Sequence, residues 1–178
     1  MDPRDHTLYA VCLDLGDTIV DEDTEIKDKT GTTIRAELVP GMADLLHDLR
    51  ERGFRLALVA DSRPATPTNV LSQHQLLDLF QTMAISEVVG VSKPDPRMFT
   101  TALSALGIDR DRYRSVMMVG NNLPRDIAGA NRLGLVSVFF HWNDRRRAVP
   151  VTAEEAPDFT VTCAAELRGL LAGYEPRR

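Results

Sequence analysis

The sequence predicts an α/β fold, a mostly parallel β-sheet covered by helices on both faces. Two patterns carry that prediction. Short runs alternate with helical segments along the whole chain, and nearly every run is apolar at each position, as in strands buried on both faces of a parallel sheet. Length agrees: 178 residues are enough for one domain with one well-buried core. Residues 1–178 are therefore read as a single domain.

Each element has a local reason. Residues 8–13, LYAVCL, form the first strand, which stops on an acid, Asp14. The segment after it is polar and carries two β-like runs, TEIKD and TTIRAEL, on either side of Lys29-Thr30-Gly31. They read as a short hairpin flap within about residues 20–40, with Lys27 and Lys29 exposed and Gly31 supplying the unusual turn dihedral. Pro40-Gly41 opens an amphipathic helix, MADLLHDLRERG, which puts Leu45, Leu46 and Leu49 on one face and ends at Gly53. FRLALVA is the second strand, DSRPATPTNVLSQHQ a loop entering a helix, and QTMAIS the third strand. In KPDPRMFTTALSALG, Asp95 is the N-cap, Pro96 the first helical residue and Gly107 the stop. SVMMVG is the fourth strand, LPRDIAGANRLG a helix and LVSVFF the fifth strand. DFTV is a short sixth strand before a last helix over residues 163–173.

Composition excludes several classes. Hydrophobic residues are 43% and charged residues 26%, an ordinary globular balance. A net charge of −5 argues against a nucleic-acid partner or an acidic membrane surface. The clusters Arg145–Arg147 and Arg177-Arg178 read as solvated faces. Cys12 and Cys163 have neither CxxC nor zinc-type spacing and fit free thiols in a reducing cytoplasm. The polar start, MDPRDHT, and the lack of an apolar run of about 18 residues point to neither export nor membrane insertion.

Ligands of parallel sheets bind beyond the carboxyl ends of the strands, where strand order reverses. Asp14 ends the first strand, Asp61 and Ser62 follow the second, and Gly120-Asn121-Asn122 follow the fourth. Lys93 lies just before the helix capped by Asp95, and Asp126 lies in the first turn of the helix that begins near Pro124. Taken singly, most have structural explanations. Asp126 favours its helix N-terminus, Lys93 is a surface lysine, and Asp61 and Ser62 are turn and helix-entry residues. Asn121-Asn122 is a turn that tolerates positive φ. Asp14 has no such explanation, because a charge at the end of a buried strand is costly unless something pairs with it.

Together these residues supply a carboxylate nucleophile, an ammonium, a hydroxyl near backbone N–H groups and oxygen ligands for a hard cation. Mg²⁺ favours one or two carboxylates plus substrate phosphate and water, so Asp14 and Asp126 suffice for it. Lys93 and helix N-termini neutralise a phosphoryl group. The set describes phosphoryl transfer through an aspartyl-phosphate.

LDLGDT, LALVADS, GVSKPDPRMF and VGNNLPRDIAGANRLG, in that order and spacing, resemble the four motifs of the haloacid dehalogenase superfamily over about residues 8–142. The resemblance implies a three-layer Rossmannoid fold, Mg²⁺ and phosphate-ester hydrolysis. Position by position, it makes Asp14 the nucleophile and a metal ligand, and Gly16 a metal ligand through its backbone carbonyl. Lys93 holds the phosphoryl group and the nucleophile, while Asn121 and Asp126 fill the metal-side acidic positions. Thr18, Asp61 and Ser62 join Lys93 as candidates for binding substrate and phosphate.

Three positions depart from the family pattern. Its second aspartate, the general acid/base, is Gly16. The Ser/Thr ending the second strand is Ala60, with Ser62 the hydroxyl close by, and the first acid of the Gly-Asp pair is Asn121. Positioned proton transfer is worth about 10²–10⁴-fold, so its loss slows turnover without removing the electrostatic part. Gly16 and Asn121 also each remove a negative charge, which weakens metal binding and lowers repulsion of a phosphate dianion. Because the family backbone accepts aspartate at position 16, Gly16 reads as a lost acid rather than a backbone constraint.

Two functions stay open: a Mg²⁺-dependent phosphatase of low or narrow activity, and a catalytically degenerate domain that binds a phosphorylated ligand or a protein partner. Dehalogenase and phosphonatase chemistry fit less well, lacking an aromatic near the nucleophile and a cap lysine. The first loop has room for a hairpin and no cap domain. An open crevice suits a bulky or macromolecular phosphorylated substrate, or one enclosed by a second copy in a homo-oligomer.

Overall fold

The computed structural model describes residues 6–177; most of the MDPRDHT start and Arg178 lie outside them. In chain order the elements are β1 (Thr7–Leu8), β2 (Ala10–Leu13), β3 (Ile26–Lys27), β4 (Thr33–Arg35), α1 (Met42–Glu51), β5 (Leu56–Ala60), α2 (Ala65–Gln73) and β6 (Phe80–Ile85). They continue with α3 (Ser86–Val89), α4 (Pro96–Ala105), β7 (Val116–Gly120), α5 (Ala128–Leu133), β8 (Val136–Phe140), β9 (Phe159–Val161), α6 (Ala164–Ala172) and β10 (Glu175–Pro176).

Six strands form one parallel sheet in the order β6-β5-β2-β7-β8-β9. The chain steps outward from β2 through β5 to β6, then returns to β2's other edge with β7 and steps outward again. Strand order therefore reverses at β2, which places the predicted crevice at the end of that strand, where Asp14 sits. Alternation along each strand sends residues to opposite faces. Val11 and Leu13 pack with Leu45, Leu49 and Leu167 from α1 and α6. Ala10 and Cys12 pack with Met98, Phe99 and Leu103 from α4. This double-sided burial explains why these strands are apolar throughout.

Two predicted elements change on folding. The first strand is not continuous from Leu8, because the chain bends at Tyr9 and β1 pairs in parallel with β10 in a separate two-stranded sheet. Tyr9 presents its ring to the guanidinium groups of Arg112 and Arg177, 5.3 and 5.2 Å away. Apolarity marks Leu8 as buried but does not say which strand it pairs with. The helix predicted over LPRDIAGANRLG splits, since Leu123–Ile127 form a wide π-helical turn before α5. Asp126 and Ile127 both donate to the carbonyl of Asn122, at 2.8 and 3.4 Å. Such wide turns recur at functional sites because they re-aim one side chain, here Asp126.

The flap is present as the antiparallel pair β3–β4, turning at Gly31 with φ +82°. Lys27 and Lys29 are exposed. The hairpin is tied to α2: the Thr33 amide donates to Thr66 Oγ1 at 3.2 Å, and Asn69 Nδ2 donates to the Thr33 carbonyl at 3.0 Å. Between β2 and α1 the chain holds this hairpin and a single 3₁₀ turn, and among the described residues no cap domain is inserted there. Among the described residues, no helix is long and apolar enough to cross a membrane.

Candidate active site

A crevice of about 120 Å³ opens at the carboxyl ends of β2, β5 and β7. Of the predicted site residues, Asp14, Gly16, Asp61, Ser62, Lys93, Asn121 and Asp126 line it. Its centre is the Lys93 ammonium, whose side chain is 2% exposed. Nζ lies 2.6 Å from Asp14 Oδ1 and 2.7 Å from Asp126 Oδ1, and it donates to the Val59 carbonyl at 2.7 Å.

Three local features bring these groups together. The Asp14 amide donates to the Val119 carbonyl at 3.0 Å, which fixes the end of β2 against β7. The Lys93 amide donates to Asp61 Oδ1 at 2.9 Å, which ties the loop before α4 to the end of β5. The wide turn lays Asp126 back over Gly120, where Oδ2 accepts the Asn122 amide at 3.0 Å. A β-carbon at position 120 would overlap the Asp126 carboxyl group, so glycine there is a packing requirement.

Burial disfavours the Lys93 ammonium, but Asp126, Asp14 and Asp61 outweigh it and hold the lysine charged, with its pKa above the ordinary lysine range. Burial pushes Asp126 up to about 7, against the opposing pull of Lys93. Two carboxylates thus converge on one cation in a largely water-excluded space.

Several buried polar atoms in the crevice have no hydrogen-bond partner among the described residues: Ser62 Oγ, Asn121 Nδ2, Asn122 Oδ1 and Arg146 Nε. Orphaned polar groups of this kind mark where a ligand or water completes the bonding. The donor set suits Mg²⁺, with Asp14 and Asp126 as hard anionic ligands and the Gly16 carbonyl and Asn121 amide as neutral ones. The oxygen and nitrogen of an amide are interchangeable by a flip, and Asn121 Nδ2 has no acceptor to oppose it. No group of three or more His, Cys, Asp or Glu residues is poised for a metal among the described residues. Two carboxylates agree with a cation that keeps substrate and water ligands.

The structure corrects two expectations. Thr18 was a candidate phosphate ligand, but it is fully buried and does not line the crevice. The turn after Asp14 winds inward, with the amides of Thr18, Ile19 and Val20 all donating to the Leu15 carbonyl. Arg145–Arg147 are not merely a solvated face. Arg145 pairs with fully buried Asp17 and with Asp23, Arg146 with Glu22 at 3.2 Å, and Arg147 with Glu155 at 2.6 Å. The acidic stretch Asp21-Glu22-Asp23 was the available signal, but the sequence alone could not say that the two segments meet.

Gly16 does not have a positive φ; the left-handed residue is Asp17, with φ +49°. The backbone therefore places no demand for glycine at position 16. The side-chain space there is taken, however. A β-carbon on Gly16 would overlap Glu22 Oε1 and lie 3.0 Å from the Glu22 carboxyl carbon. Glu22, Arg125 and Arg146 also line the crevice, and the strand-end rule did not find them. Burial raises the Glu22 pKa, with Asp17 adding to the shift and Arg146 opposing it.

A family model described as haloacid dehalogenase-like hydrolase matches residues 4–134. The chain is 36% identical over 104 residues to a glyceraldehyde 3-phosphate phosphatase of Pyrococcus abyssi, a match covering 58% of this chain and 42% of the relative. It is 35% identical over 127 residues to a phosphoserine phosphatase of Thermus thermophilus, covering 71% and 48%. The chain thus spans about half the length of the curated relatives it matches. Among solved structures, a HAD phosphatase from Thermococcus onnurineus superposes with a TM-score of 0.76 at 20% identity, covering 94% of this chain and all of that one. At that identity the likeness speaks to the fold alone.

Proposed function

The chain belongs to the haloacid dehalogenase-like hydrolase family, and from that premise we propose that it hydrolyses phosphate esters through an aspartyl-phosphate on Asp14. The observation that carries the reading is the Lys93 ammonium set between Asp14 and Asp126, at 2.6 and 2.7 Å, within an open crevice. Similarity to two named phosphatases supports the same reaction class.

Lys93 holds Asp14 Oδ1 and leaves Oδ2 free to attack phosphorus. The Asp14 O–P bond forms as the ester P–O bond breaks, and the departing oxygen takes its proton from water. A water molecule then attacks the acyl phosphate, phosphate leaves, and Asp14 is restored as a carboxylate. Asp61 fixes the backbone of Lys93, while Ser62 Oγ is an unpartnered donor available to phosphoryl oxygens. Bound by Asp14, Asp126, Asn121 and the Gly16 carbonyl, Mg²⁺ would supply positive charge for the transferring group. Position 16 offers no acid to the leaving oxygen, so esters with good leaving groups are the better substrates. With no cap over the crevice, bulky phosphorylated substrates are accommodated.

Gly16 and Asn121 favour a second reading, a domain that binds phosphorylated ligands without turnover. A screen of phosphorylated metabolites and aryl phosphates, with Mg²⁺ and with chelator, separates the two. The phosphatase reading expects Mg²⁺-dependent phosphate release that falls to background in Asp14→Asn. Release that persists in Asp14→Asn refutes it. Saturable binding without release by the wild type establishes the second reading.

A further inference from the structure

We propose that Arg146 is a substrate-binding residue that selects phosphate esters whose organic part carries a second negative charge, a carboxylate or another phosphate. The inference rests on the phosphatase reading and adds a substrate class to it.

Arg146 reaches the crevice from the loop after β8, a part of the chain that the motif pattern leaves unassigned. It lines the same space as Asp14 and Lys93. Its anchor is Glu22, whose two carboxyl oxygens lie 3.2 and 3.3 Å from a single guanidinium nitrogen, Nη2. Nε is buried and has no hydrogen-bond partner among the described residues. A buried guanidinium N–H without an acceptor is costly, and a planar fork of donors suits carboxylate or phosphate oxygens. The side chain as a whole is 40% exposed and lines the crevice, so its guanidinium is open to an anion beside the reacting phosphate.

The placement is built in. Arg145, on one side, is clamped to buried Asp17 and to Asp23, and Arg147, on the other, pairs with Glu155 at 2.6 Å. The loop therefore presents Arg146 with little ordering left to do on binding. Gly16 is part of the arrangement, because Glu22 occupies the space that a side chain at position 16 would fill. The missing side chain gives Glu22 room to reach over the turn after Asp14 and hold the guanidinium there. Across the crevice, Arg125 lies 3.3 Å from Asp61 and adds a second cation. Lys93 is committed to Asp14 and Asp126, so Arg146 and Arg125 are the positive groups that face the rest of the substrate.

The test compares esters of matched length with a neutral hydroxyl tail, a carboxylate tail or a second phosphate. kcat/KM is measured for wild type and Arg146→Gln, and Kd is measured by calorimetry in an Asp14→Asn background. Arg168→Gln, which removes a surface arginine of α6 that neither lines the crevice nor holds the loop after β8, is the control. The expected result is a wild-type preference for one or both anionic tails. In Arg146→Gln both kcat/KM and affinity for the preferred esters fall about tenfold more than for the neutral ester, the scale of one charge-assisted hydrogen bond. Arg146→Lys should recover part of the loss, and Arg168→Gln should show no change in preference. The two anionic arms distinguish a carboxylate subsite from a second phosphate subsite. Equal losses on neutral and anionic esters, or no loss on either, overturn the proposal. Should the wild type release no phosphate from any ester, the phosphatase reading fails, and the calorimetric comparison still decides the role of Arg146.

Discussion

Replacing Lys93 with methionine keeps most of the buried stem and removes the charge. Its side chain is 2% exposed, and its two acid partners, Asp126 and Asp14, are 1% and 13% exposed. Removing one member of a buried ion pair costs about 3–5 kcal/mol, because the remaining charge loses its compensation. Without Lys93 the Asp126 pKa rises further from about 7, and proton uptake by Asp126 relieves part of the repulsion from Asp14, so the lower part of that range applies at neutral pH in the presence of chelator. The loss is a large share of the roughly 5–15 kcal/mol that holds a domain together. Saturating Mg²⁺ supplies the missing positive charge, and at a concentration of 100 Kd it returns about 2.7 kcal/mol. Urea titrations of wild type and Lys93→Met, each with chelator and with Mg²⁺, read all four values. Asp126→Asn in the Lys93→Met background should restore stability, giving a coupling within the roughly 0.5–3 kcal/mol seen for side chains in contact. A Lys93→Met loss below about 1 kcal/mol in chelator, or strict additivity with Asp126→Asn, would refute the claim that one buried ammonium balances both acids.

Two further outcomes follow from the same geometry. Asn121→Asp adds a carboxylate where the side chain is buried and its amide nitrogen lacks a partner. Calorimetry should show Mg²⁺ binding tighter by about tenfold, as expected when ligand charge increases, and an unchanged Kd would place Asn121 away from the metal. Burial pushes the Cys12 thiol up to about 12, while Cys163 is exposed. At pH 8 a thiol reagent should therefore label one cysteine per native chain quickly, and Cys163→Ser should abolish that phase. Fast labelling of both would mean that the β2 face opens.

The elements legible in the sequence were those set by local rules. Caps and stops placed α1 and α4 closely: Asp95 accepts the Arg97 amide at 2.9 Å, and Gly53 adopts φ +95°. The strand-end rule found Asp14, Asp61, Ser62, Asn121 and Asp126, because residues that leave the carboxyl ends of β2, β5 and β7 have few other places to go, whereas Lys93 arrives from the loop between α3 and α4. Thr18, a phosphate-binding candidate in the reading that followed the family resemblance, is folded inward by the tight turn on the Leu15 carbonyl.

The sequence by itself determined the alternation of strands and helices, the two faces of the core and the acid-lysine-acid centre, because periodicity, capping and strand ends act over a few residues. Only the tertiary structure decided that the chain bends at Tyr9, that Asp126 rides on a π-helical turn, and that Glu22 fills the space beside Gly16 with Arg146 held behind it. Those features depend on which distant segments meet and on how charge pairs once water is excluded. A carboxylate at residue 22 and a guanidinium at residue 146 have no relation along the chain. They become one structure when the loop after β8 closes on the turn after Asp14.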